Sequence, residues 1–404
     1  MGDDEAVTSS DLENPMPSGR ASASGAGSAS SPGGDAVDGG EVQDAGADLD
    51  APPVTRRTVT LGITLLLTAA LAAVALVLPV PYAVRAPGPT ENTLGEQDEA
   101  PLIAIEGSRT YESTGELRLT TVSVSGGPGY PVSAGQVVQA WLDPTRSVVP
   151  VEAIFPEETT AEEQQEVSQA EMVSSQESAT AAALTELGED VPATLEVAGA
   201  EPGTGADGVV AEGDVIVSFE GAPVETYEQL IAGLAETEPG SDVVLGVRRG
   251  GETRDLTITT GGVEGEDRAV MGVYIDPRYE FPIDVSIQIE DIGGPSAGMM
   301  FALGIIDKLT AEDEANGEVI AGTGTMSPEG LVGPIGGIEQ KLYGALRDGA
   351  TWFLAPAGNC AEVVGNVPDG LRVVRVETLH DAREAMEAIG AGAGAELPTC
   401  SASS

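Results

Sequence analysis

Lysine is nearly absent from this 404-residue sequence, which carries 16 Arg but only Lys308 and Lys341. Any chemistry that needs an amine able to lose its proton therefore has two candidates. Histidine occurs once, as His380. The two cysteines, Cys360 and Cys400, lack CxxC spacing, which argues against a Cys-based zinc centre and any metal role for them. They can pair if the C-terminal part faces an oxidising compartment, and the sequence leaves that open. Basic residues are scarce against 66 acidic ones, for a formal charge of −48. A field of that sign repels phosphate backbones, so nucleic acid is excluded as a partner. The excess is spread along the chain and speaks to solubility rather than to chemistry.

What is present divides the chain. Hydrophobic residues make up 41%, enough to bury the cores of two or three domains. Residues 1–57 are rich in Gly, Ala, Ser and Asp without apolar periodicity, and read as a disordered acidic tail. After Arg56 and Arg57 no charge appears until Arg85. Thr58–Val80 is nearly all Leu, Ala, Val and Thr, long enough to cross about 30 Å of hydrocarbon as a helix. A cleaved signal peptide would carry an unusually long leader here, and a core helix would show a polar face. Two arginines before the span and one after it favour a cytoplasmic tail and an extracytoplasmic body.

Beyond the span, residues 86–188 read as a mixed β/α segment. Strand patterns at LIAIEG and Leu117–Val124 precede a long helix over 157–187 that Gly188 stops. Residues 189–262 change character: a strand at Gly213–Gly221, a helix over APVETYEQLIAGLAE, and a hairpin around Gly250-Gly251. This order, with GDVIVSFEGAPV at its centre, resembles the second half of a bacterial PDZ domain. The resemblance implies capture of extended peptide C-termini by strand addition, with a carboxylate-binding loop somewhere in Pro192–Gly208. A packing role alone is the blander alternative.

The chemistry concentrates in residues 282–346. A strand at Ile283–Asp291, the Gly-rich IGGPSAG and the helical MMFALGIIDKL place Ser296 at a helix N-terminus. Unpaired backbone N–H groups there, at Gly294, Ser296 and Ala297, and the helix dipole suit an oxyanion. Ser296 as a mere N-cap is the alternative. Further on, Ile338–Arg347 reads as a helix with Ile338, Leu342 and Ala345 on one face and Lys341 at its edge. Partial desolvation there lowers an amine's pKa toward the range of a general base.

Together these elements resemble the proteolytic domain of the Lon family. GPSAG (Gly294–Gly298) matches its nucleophile motif and implies Ser296 as catalytic serine. PIGGIEQK (Pro334–Lys341) matches its PIGG-x-x-x-K segment and implies Lys341 as base, and Thr323 matches the threonine that supports the lysine. Members with ATPase modules often carry an acid shortly before GPSAG, where this chain has glycine. The stretches PGPTENTLG, LTTVSV and SQESATAAAL strengthen a likeness to PDZ-bearing, membrane-anchored Lon-like peptidases.

The implied architecture is α+β: a PDZ-like domain at 189–262, a Lon-type domain (ribosomal S5 domain 2-like) at 263–390 and a tail at 391–404. The implied activity is a serine endopeptidase without cofactor or metal, acting on protein or peptide substrates, with homo-oligomers common in the family. No GxxxxGK[ST] loop occurs in the sequence, which argues against an ATPase motor on it. Two other readings compete. GxSxG also fits an α/β-hydrolase elbow with His380 as partner, and the PDZ module could serve a non-catalytic membrane-tethered adaptor. The full chain is expected to remain with membranes after carbonate washing; its recovery in the supernatant would overturn the span.

Overall fold

The computed structural model describes residues 55–97, 100–127, 129–155, 160–262, 269–289 and 292–401. The expected tail lies outside these residues up to position 54, as do the last two positions of the expected strand Ile283–Asp291. Helix α1, Arg56–Val77, has 22 residues and buries none of them. At 1.5 Å per residue it is about 33 Å long, so it is long and apolar enough to cross a membrane. Pro79 and Pro81 end it, because a proline disfavours helical backbone in the residue before it.

The body begins with strands β1 (Tyr82–Asn92) and β2 (Glu116–Ser125), helix α2 (Ala134–Trp141) and strand β3 (Ser147–Pro150). Helix α3 (Ala161–Glu186) opens on a capping box, in which Thr160 and Glu163 satisfy each other's backbone amides, and Gly188 follows in the left-handed region. Next come β4 (Ala193–Ala200), β5 (Val215–Phe219), helix α4 (Tyr227–Ala235), β6 (Asp242–Arg249), β7 (Glu252–Thr259) and β8 (Val273–Tyr279). The last part holds α5 (Gly298–Leu309), β9 (Val319–Gly322), α6 (Ile338–Arg347), β10 (Trp352–Pro356), α7 (Cys360–Val363), β11 (Arg372–Val376) and α8 (Leu379–Gly390).

Strands from both ends of this order share one sheet, β11-β10-β9-β2-β1-β3. Strands β11, β10, β9 and β2 run parallel; β1 is antiparallel to β2, and β3 is antiparallel to β1. Side chains alternate across the pleat. Leu117, Leu119, Ile320, Leu354 and Val374 point to one face and pack with α3, α5 and α8. Ala321, Phe353, Ala355 and Val373 point to the other and pack with α6 and α7. Segments 86–188 and 263–390, separate in the sequence reading, thus build one layered α+β body.

Between α3 and α5 the chain makes a second sheet, β7-β6-β5-β4-β8, around its own core of Leu195, Val197, Ile216, Leu230, Leu245 and Ile258. Gly250 and Gly251 lie between the paired Arg249 and Glu252, both at positive φ, as a two-residue type I′ turn requires. Strand β8 extends this small domain beyond the expected limit at 262 and pairs with β4 along its length. Of the segment Pro192–Gly208, where a carboxylate-binding loop is expected, Ala193–Ala200 is β4, an internal strand hydrogen-bonded on both sides, so no peptide can be added at that strand, and the residues after it form turns. Among the described residues the sheet ends in β7 on one side and β8 on the other; β8 is entered through Ala269–Gly272, with Met271 buried in the same core as Leu230 of α4. The return path packs on α3, with Tyr279 and Phe281 stacked at 5.4 Å beside Ala181 and Leu184.

Residues 391–401, within the expected C-terminal tail, are tied to the body. Gly394 is buried, the Pro398 carbonyl accepts from the Arg375 amide, and Cys400 forms a disulfide with buried Cys360. The bond closes a separation of 40 residues, which on chain-entropy grounds stabilises the fold by about 4 kcal/mol. Replacing both cysteines by serine is expected to cost about 2–4 kcal/mol in denaturant unfolding. An unchanged midpoint with and without reductant would contradict the bridge.

Candidate active site

The two faces of the large sheet meet where the parallel strands end. Ser296 precedes α5 on one face, Lys341 lies in α6 on the other, and Thr323 directly follows β9 between them. The carboxyl ends of parallel strands are a common place for sites because loops from both sides converge there.

The local hydrogen bonds form a closed set. The Lys341 amine donates to Ser296 Oγ at 2.8 Å and to Thr323 Oγ1 at 2.8 Å. Thr323 Oγ1 donates to the Ser296 carbonyl at 2.9 Å, and the Gly324 amide donates to that same carbonyl at 2.9 Å. Serine side chain, serine backbone and lysine are therefore held by one threonine. The N-cap reading of Ser296 is corrected: the cap residue is Ala297, with no side-chain capping bond, and Ser296 Oγ faces the amine instead.

Lys341 is only 2% exposed, well inside the face at whose edge the sequence put it. Burial disfavours the charged form and pulls its pKa from 10.5 to about 7. The first turn of α6, where its dipole is positive, works in the same direction. Glu339, the nearest acid in sequence, points elsewhere and accepts from Asn366 Nδ2 at 2.9 Å. Lys308, the other lysine, lies in the last turn of α5 with Asp307 and Glu96 nearby. His380 is exposed, and its Nδ1 pairs with Glu186 at 2.9 Å. That bond raises the imidazole pKa and commits the ring to a partner other than Ser296.

Helix α3 supplies residues that sequence reasoning missed. The Ser168 carbonyl accepts from the Gly294 amide at 2.9 Å, and Ser175 Oγ donates to the Pro295 carbonyl at 3.1 Å. These bonds hold the loop ahead of Ser296 from outside. They also correct the assignment of Gly294 as an oxyanion donor, since its amide is already engaged; Ser296 and Ala297 remain. Ser175 opens the SQESATAAAL stretch, the only sequence signal for it. Two glycines are dictated by contact. A Cβ on Gly298 would lie 2.8 Å from Met326 Cβ and 2.9 Å from Ser175 Oγ. Gly337, the cap of α6, has φ of 72°, and a Cβ there would lie 2.9 Å from Val122.

A groove of about 1100 Å³ runs beside this loop between α3 and the 124–155 segment, ending at Ile292 and Gly293. Its described lining is apolar, amide-bearing or hydroxyl-bearing, including Met172, Gln169, Gln176, Phe155 and Ser168, and none of it is charged.

Two families match this chain. Residues 179–260 match the PDZ domain family, and residues 289–388 match the Lon protease (S16) C-terminal proteolytic domain. Lon protease of Clostridioides difficile (strain 630) is 30% identical over 191 residues, covering 43% of this chain and 24% of that protein. Lon protease 2 of Herpetosiphon aurantiacus is 30% identical over 194 residues, covering 41% and 24%. Lon protease of Azospirillum brasilense is 40% identical over 91 residues, covering 22% and 11%. The chain thus spans no more than about a quarter of the length of these curated relatives. It carries a PDZ domain and a serine peptidase domain of the Lon type.

The buried amine makes stability depend on pH in a stated direction. The folded pKa, about 7, lies below that of the unfolded chain, about 10.4. Between them the unfolded state holds the extra proton, so stability rises with pH across this window and is flat below it. Relative to Lys341→Met, the wild-type melting temperature is expected to climb between about pH 7 and about pH 10. Parallel curves for the two proteins would contradict a buried, neutral lysine.

Proposed function

We propose that this chain, with its PDZ domain set into a Lon-type serine peptidase domain, is an ATP-independent, membrane-anchored endopeptidase of the extracytoplasmic side. The observation that carries the reading is the 2.8 Å contact between Ser296 Oγ and the buried amine of Lys341.

With its pKa near 7, the amine has a neutral fraction at physiological pH whose lone pair can accept the serine proton. Ser296 Oγ then attacks the scissile carbonyl, and the amides of Ser296 and Ala297, ahead of α5, take the developing oxyanion. Lys341 returns the proton to the leaving amine nitrogen as the peptide bond breaks. Water, deprotonated by the same amine, attacks the acyl-enzyme ester and regenerates Ser296. Thr323 steers throughout by tying the amine to the serine backbone. An extended polypeptide lies in the uncharged groove that ends at Gly293, and the free edge of β8 takes a second, peptide-binding role typical of strand addition. Arginines before the span and a Cys360–Cys400 bridge, favoured in oxidising compartments, support the extracytoplasmic side.

Casein or peptide digestion by the full chain in detergent tests this reading. Ser296→Ala is expected to abolish cleavage. Lys341→Arg should be nearly inactive as well, because a guanidinium keeps its proton. For the wild type, kcat/KM should rise through one ionisation near pH 7 and then level off. His380→Ala and Lys308→Arg should stay within a few-fold of wild type. A collapse with His380→Ala in a folded protein would instead favour the hydrolase triad, where such losses reach orders of magnitude. Cleavage by Lys341→Arg above a few per cent of wild type would remove lysine as the base.

A further inference from the structure

The segment that follows α1 carries exposed apolar side chains. Strand Val132–Ser133 pairs with Pro79–Val80, directly after the apolar helix. The Ala134 amide of α2 donates to the Leu78 carbonyl at 3.0 Å, so α2 starts where α1 ends. Its inner face, Val137 and Ala140, packs with Val84 and Val132. Its outer side is also apolar. Trp141 is 67% exposed, Leu142 82% and, just ahead of the helix, Tyr130 76%, with Val138 and Tyr82 exposed beside them.

Charge is missing from the same stretch. No Asp, Glu, Lys or Arg occurs from Leu119 to Leu142 in a chain whose formal charge is −48. An anionic lipid surface repels acidic protein, and an uncharged interval of this length removes that barrier locally. Tryptophan and tyrosine, each with an apolar body and a polar tip, concentrate at the level of lipid headgroups. Trp141 lies about 10 Å along α2 from Ala134, within reach of the headgroup zone adjoining the end of a spanning helix.

We propose that α2 and its flanks, Tyr130, Val138, Trp141 and Leu142, form a docking surface that rests in the interface of the bilayer crossed by α1. This rests on the anchored reading above. Its occupant is the lipid surface, chosen because the patch is continuous with the end of the apolar helix. One of these positions, Tyr130, also lines the groove beside the nucleophile loop, so docking holds the mouth of that groove at the membrane.

The chain has two tryptophans, Trp141 and Trp352, and α1 contains neither. Trp352→Phe therefore leaves Trp141 as the single emitter in the full-length protein. Reconstituted into phosphatidylcholine vesicles, this variant is expected to show blue-shifted emission, reduced acrylamide access and strong quenching by lipids brominated high in the acyl chain. Trp141→Phe, a conservative change at an exposed site, should lose the lipid-quenchable fraction from otherwise wild-type protein and guards against misfolding of the first variant. Water-like emission, insensitive to brominated lipid in protein that floats with vesicles and resists carbonate, overturns the docking surface while leaving the anchor intact. Protein that does not float at all overturns both. Protection of Trp141 in detergent that grows with protein concentration, without lipid quenching, assigns the patch to a second copy of the chain and also overturns the proposal.

Discussion

A lysine amine enclosed by protein, and kept close to neutral at physiological pH by that enclosure, is the constraint around which the rest of the chain is arranged. Removing the charge from water is costly, and here the group yields its proton instead of finding a carboxylate partner. That outcome needs apolar neighbours on several sides. In α6, Ile338, Leu342 and Ala345 share a buried apolar cluster with Ala321 and Phe353 of the sheet. It also needs hydroxyls placed to use the lone pair; Thr323 supplies one from the end of β9 and Ser296 the other from the far face of the same sheet. The site exists because β9 ends where both helical layers can reach around it.

The small domain is an insertion in that body, not a module strung ahead of it. Its sheet begins after α3 and ends before the return to α5, so both of its chain connections leave and re-enter one core. Helix α3 is the shared element: its C-terminal half packs against the return path through Ala181 and Leu184, and Ser168 and Ser175 hold the loop before the nucleophile. A displacement of the inserted domain would bear on the same helix that fixes the Gly294-Pro295 backbone. The peptide-binding role proposed for β8 would act on Ser296 through this helix.

Charge is distributed by exclusion. Acidic residues far outnumber basic ones, yet the described groove lining and residues 119–142 carry no charge. In helix α3 the two patterns sit side by side: Gln164, Gln169 and Gln176 face the groove, while Glu162, Glu166 and Glu171 are exposed outside that lining. Glutamine keeps the hydrogen-bonding capacity of an amide without long-range repulsion, so an extended backbone can lie there whatever the field elsewhere.

Short-range pattern determined much of this molecule. The apolar run before Pro79, the caps of α3, the Gly250-Gly251 turn and the i, i+4, i+7 face of α6 are all local, and each is specified by residues within a few turns of one another. The scarcity of lysine, and the glycine-rich turn into α5, made Ser296 and Lys341 readable as candidates. What only the tertiary structure decided involves partners far apart in the chain. These are the pairing of β2 with β9, the seating of Ser168 and Ser175 against the nucleophile loop, the choice of β8 rather than β4 as free edge, and the closure of Cys360 on Cys400. Periodicity tells that a strand has two edges and a face, but every edge offers the same N–H and C=O groups. Which edge is filled, and how deeply a lysine is enclosed, is settled by packing summed over the whole core.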